Sequence, residues 1–82
     1  MGSVFRQERK VQDVKVGSVY RRTGPGDVVE TAKVLGVSPD AAGIPHVRYQ
    51  ISIKRPAFTE MEDRRTLNLE SFAERFSERI EA

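Results

Sequence analysis

The chain reads as a mainly β domain: a small twisted antiparallel sheet or barrel of four or five strands, with an amphipathic helix near its C-terminal end. Three observations carry this reading. In residues 46–54, Val47, Tyr49, Ile51 and Ile53 alternate strictly with His46, Arg48, Gln50, Ser52 and Lys54, the period of a strand with one face in a core and one in water. Thr23-Gly24-Pro25-Gly26-Asp27 stands between two valine-rich stretches, as a hairpin turn does. Leu69, Phe72, Ala73, Phe76 and Ile80 recur at helical spacing and leave Glu70, Glu74, Arg75, Glu78 and Arg79 for solvent.

Size and composition bound the rest. With 82 residues the chain makes one domain that buries only about two-thirds of its unfolded surface, so its core is small. At 38% hydrophobic and 32% charged residues it is globular and more charged than average, yet too rich in Val, Ile, Leu and Phe to be disordered. Cysteine is absent, which excludes disulfides and thiolate zinc sites and fits a reducing cytoplasm. No signal-peptide run opens the chain, and no stretch of about 18 apolar residues occurs, so no membrane association is expected.

Along the chain, residues 1–13 are expected to form a mobile N-terminal arm, and a single β domain is expected over residues 14–82. Residues 14–22 read as a strand bent or bulged at Gly17. After the hairpin turn, residues 28–37 form a second strand whose apolar residues fall on both parities, which leaves open which face is buried. Residues 38–45 are a loop, with Pro39-Asp40 favouring a type I turn and Gly43 able to adopt a left-handed conformation. The alternating strand 46–54 follows. Residues 55–63 read as a second loop, because Pro56 cannot donate to a ladder and Glu60, Glu62 and Asp63 cluster at its end. Alternation resumes through Leu67 and Leu69. A helix is expected over about 69–81, started either by Ser71 with Glu74 as a capping box or by Asn68 as N-cap.

Catalytic and metal chemistry find little support. His46 is the only histidine, so no second imidazole completes a nitrogen site, and no carboxylate stands at a telling spacing to orient it as a base. Gly17-Ser18 lacks the flanking glycine of a nucleophile elbow. Gly24-Pro25-Gly26 lacks the spacing and the Lys-Ser/Thr of a phosphate-binding loop. Glu60, Glu62 and Asp63 lack the calcium-loop spacing. No enzyme, cofactor or metal is expected.

What remains is basic surface. Arg48 lies on the polar side of its strand, Lys54 and Arg55 stand at that strand's end, and Arg64 and Arg65 flank a neighbouring one. These five are the candidate polyanion- or partner-binding residues, expected to converge at one edge of the domain. Tyr20 is expected to be exposed beside them, able to stack on a base.

Gly17-Ser18-Val19-Tyr20-Arg21, Val34-Leu35-Gly36-Val37, Val47-Arg48-Tyr49 and Arg65-Thr66-Leu67 leading to Phe72 together resemble the order of elements in small bacterial SH3-like barrel proteins of unknown function. The resemblance covers about residues 14–76. It implies a twisted barrel of four or five strands closed by a helix and a bacterial source, and it implies no activity, since that fold hosts peptide-binding, nucleic-acid-binding and structural roles alike. The expectation is a non-enzymatic binding or interaction module with a protein partner, the alternative a weak, charge-driven nucleic-acid binder. A homodimer through a free sheet edge at the Val14 strand or the N-terminal arm is open as well.

Overall fold

The computed structural model describes residues 14–81; the N-terminal arm expected over residues 1–13 lies outside them. Five strands form one antiparallel sheet: β1 Val19–Gly24, β2 Val28–Pro39, β3 Pro45–Arg55, β4 Phe58–Asn68 and β5 Glu78–Glu81. Their order is β4-β3-β2-β1-β5. The sheet is open, with β4 and β5 at its edges, so of the two forms expected it is the sheet and not the closed barrel. One short helix, α1 Leu69–Arg75, lies between β4 and β5 in the chain.

β3 keeps the strict alternation of its sequence. Val47, Tyr49, Ile51 and Ile53 are buried while Arg48 and Lys54 are exposed. Opposite residues in an antiparallel ladder project to the same face, so β3 assigns its neighbours. Through the pairs Val34↔Tyr49, Ala32↔Ile51 and Glu30↔Ile53, the even residues of β2 face the core. Leu35 is then an extra residue, after which Gly36 pairs with Arg48 and Val37 with Val47. This bulge exchanges the parities, which explains why the apolar residues of β2 fall on both.

The hairpin between β1 and β2 is built as its sequence requires: Pro25–Asp27 makes a single 3-10 turn, with Gly26 at φ +73° and Asp27 at +60°. Between β2 and β3 the turn is tied by Asp40, whose carboxylate accepts from the amides of Ala42 and Ile44 at 2.8 and 3.0 Å. Gly43 there has φ +83°.

Three expectations need correction. β1 begins only at Val19, because Gly17 at φ +91° closes a turn in which the Ser18 amide donates to Lys15. Residues 55–63 are mostly strand, since β4 starts at Phe58 and only Pro56 and Ala57 form the turn. An edge strand needs only one ladder, and its charged residues Glu62, Asp63, Arg64 and Arg65 remain exposed. The helix stops at Arg75. Phe76 caps it by donating its amide to Phe72, and the chain then pairs with β1 through Tyr20↔Arg79 and Arg21↔Glu78. The unsatisfied edge of β1 captures residues 78–81, and Ile80, expected on the helix's apolar face, is 43% exposed.

α1 begins at Asn68, whose side chain accepts from the Ser71 amide at 2.8 Å, the second of the two caps expected. Seven residues do not hold a helix in water; burial does. Phe72, Ala73 and Phe76 are almost fully buried on the inner face of the sheet. Phe72 packs edge-on against Tyr20 at 5.4 Å and Tyr49 at 5.0 Å between ring centroids, and Phe76 lies 5.6 Å from Tyr49. Phe72→Ala is expected to cost about 3–5 kcal/mol in urea unfolding, and Asn68→Ala about 1 kcal/mol. Equal, small losses for both would contradict the dominance of the aromatic contact.

Candidate functional site

Among the described residues α1 packs on the inner face of the sheet alone, and the outer face carries exposed side chains. Its composition follows from register. Lys33, Gln50 and Arg64 lie side by side on β2, β3 and β4 through the pairs Lys33↔Gln50 and Gln50↔Arg64. Arg48 stands two residues along β3, on the same face, between Gly36 and Thr66. Three cations thus surround one neutral amide, with neighbouring strands about 4.8 Å apart and same-face residues about 6.7 Å apart along a strand. Lys33, Arg48 and Arg64 are exposed, and none forms an ion pair with a described residue.

The bulge contributes here too. A Cβ at Gly36 would sit 3.2 Å from Nη2 of Arg48, so the absence of a side chain leaves room for the guanidinium to lie across β2. One row further, the face turns acidic: Arg21 donates to Glu78 at 2.6 Å and their charges cancel, while Glu62 accepts only from the Ser52 hydroxyl at 3.5 Å and keeps its negative charge. Lys54 follows on the same face beside Val29.

The six residues singled out in the sequence therefore separate. Arg48 and Arg64 come together, and Lys54 shares their face at a distance. Arg65 stands opposite Tyr49 on the inner side and is 3.5 Å from Asp63. Arg55 sits where β3 runs into the turn. Tyr20, expected to be exposed, is 4% exposed and packed against Phe72; its position on β1 opposite Ala32 places it on the inner face. Lys33 was not among the six, because its face depends on the register of β2, which the sequence leaves open.

The inner face carries a second polar group. Glu30, with 13% of its side chain exposed, holds Oε1 at 3.5 Å from both Arg22 and Arg75, tying β1, β2 and α1 together. That oxygen is buried and makes no hydrogen bond. An open pocket of about 410 Å³ lies beside it, lined by Arg22, Leu67, Ser71, Glu74 and Arg75. Its two arginines are already committed to Glu30, which makes it a poorer anion site than the outer face. Burial raises the Tyr49 hydroxyl above its usual value, opposed by Arg65 and Arg75.

His46 has a local structural role. Its Nδ1 is 2.9 Å from the Ile44 carbonyl, which can only accept, so Nδ1 carries the proton. Among the described residues no group of three or more His, Asp or Glu is placed to hold a metal ion, and no helix is long and apolar enough to cross a membrane.

Comparison with protein-family models, with curated proteins and with solved structures finds no match. The likeness to SH3-like barrels rests on the sequence motifs alone.

Asp40 supplies a pH-dependent element at the β2–β3 turn. Hydrogen bonds from Ile44 and Ala42, with the nearby His46, hold its carboxyl below the ordinary 3.8. A lowered value means that the bonds contribute fully above pH 3.8 and are lost as pH falls through the folded value. Carboxyl NMR titration should place Asp40 below 3.8, with faster amide exchange at Ala42 and Ile44 once it protonates. An ordinary value would mean that the turn is not held by these bonds.

Proposed function

We propose that this protein is a non-enzymatic binding module that holds the backbone of a single-stranded nucleic acid on its outer sheet face, through Lys33, Arg48 and Arg64 with Lys54 at the margin. The observation that carries the reading is the convergence of three exposed cations around Gln50 on a face that no described element covers. Cations so placed repel one another weakly and give the fold nothing. Phosphates would reverse that balance.

The same face favours charge over base reading. Tyr20, Tyr49, Phe72 and Phe76 are all buried, so the described part of the sheet offers no ring on which bases stack. Polar contacts from Thr31, Gln50, Ser52 and Thr66 are available to sugar and phosphate, as in contacts that position a strand without specifying its sequence. Binding is accordingly weak, indifferent to sequence and steeply dependent on salt. A protein partner, the first expectation, is less well served here, because, of the large exposed apolar residues, Val37 and Met61 lie on the inner face, Val16 and Ile44 lie in turns, and Ile80 stands on the edge strand β5, two strands away from Lys33.

Four phosphate contacts predict a log–log salt slope of about −3 for single strands, or about fiftyfold weaker binding on going from roughly 50 to 200 mM salt. Fluorescence anisotropy with a labelled mixed-sequence oligonucleotide measures this. Arg48→Glu should weaken binding by at least about tenfold and flatten the slope by about one contact. A salt-independent affinity, or one unchanged in both Arg48→Glu and Lys33→Glu, contradicts the reading.

A further inference from the structure

β4 is an edge strand of eleven residues, paired among the described residues with β3 alone. Such an edge presents a row of free amides and carbonyls that can template another strand. We propose that β4 pairs antiparallel with β4 of a second copy of this chain, about a twofold axis that passes perpendicular to the sheet at Arg64. This dimer does not rest on the nucleic-acid reading.

Side-chain order on the edge selects both the partner and the register. A perpendicular twofold keeps inner face beside inner face, so opposed residues must share parity. With the axis at Arg64, Asp63 stands opposite Arg65 of the second copy, and Met61 opposite Leu67, all on the inner face, since Met61, Asp63, Arg65 and Leu67 pair with Ile53, Ile51, Tyr49 and Val47. Each contact occurs twice. Met61 is 50% exposed in the single chain, and Leu67 already packs against the core, so their pairing extends the apolar layer across the axis. Asp63 and Arg65 are half-exposed and only 3.5 Å apart within the chain, placing both charges at the rim where the second copy arrives.

On the outer face, Glu62 falls opposite Thr66 and diagonal to Arg64 of the second copy, close enough for long side chains to meet. The two Arg64 residues oppose each other at the axis, each flanked by a Glu62. Moving the axis to Asp63 would set Asp63 against Asp63 and Met61 against Arg65, which discards every favourable inner-face pair. The Asp63 register would also oppose Glu62 and Arg64 on the outer face, so the charge pairs are equal in number and the apolar Met61–Leu67 pair selects the Arg64 register, in which the strand is acidic before the axis and basic at and after it.

Analytical ultracentrifugation of the full chain, from about 10 µM to 1 mM, tests this; a strand-edge contact is smaller than a standard interface, so a weak, reversible monomer–dimer equilibrium is expected. Arg65→Asp replaces two attractive pairs by two Asp–Asp pairs and should weaken the dimer by about tenfold. The double change Asp63→Arg with Arg65→Asp restores the complementarity and should restore the dimer. Circular dichroism confirms that each variant is folded. A chain that stays monomeric throughout overturns the proposal. So does a dimer indifferent to Arg65→Asp, or a folded charge-swapped variant that fails to recover.

Discussion

The structure depends on one contact: the seating of Phe72 and Phe76 against Tyr20 and Tyr49 on one side of the sheet. A seven-residue helix has no stability of its own, and a small open sheet has little unless one face is dry. Each supplies what the other lacks. Among the described residues the single helix covers one face, and the other is mostly polar, interrupted by Val19 and Val29. Two-sidedness is therefore imposed by packing before any function is considered.

That constraint explains which parts of the fold were legible. β3 is an inner strand of the sheet, paired on both sides and packed against the helix, so its inner positions must all be apolar and its sequence shows it. β4 lies at the edge. Its inner positions Met61, Asp63 and Arg65 are exposed, so the alternation fades and the strand resembles a loop. β2 changes parity at Leu35, and a one-residue slip sends every later side chain to the opposite face. No local pattern announces such an insertion except Gly36 beside it. The end of the helix was hidden for a different reason: the spacing of Ile80 suits a further helical turn, but the free edge of β1 offers backbone hydrogen bonds that only the folded sheet provides.

The candidate site was half legible on the same grounds. Arg48 sits on the strand whose faces are plain, so its exposure follows from alternation alone. Lys33 and Arg64 join it only through the registers of β2 and β4, and Tyr20 leaves the site because β1 pairs with β2 through Ala32. Charges on this face are not there for stability. The Arg21–Glu78 pair is exposed on both sides and contributes at most about 1 kcal/mol, while Lys33, Arg48 and Arg64 have no described ionic partner. Gln50 separates Lys33 from Arg64 across the strands and so limits their repulsion without neutralising the surface.

The most direct test of the outer face as the working surface is an amide and side-chain NMR map of the labelled protein with a mixed-sequence single-stranded oligonucleotide at low salt. Shifts confined to Thr31, Lys33, Arg48, Gln50, Arg64 and Thr66, vanishing as salt is raised, are the result this account requires. Shifts centred on α1 and the Glu30 cluster, or none at all at low salt, would contradict it.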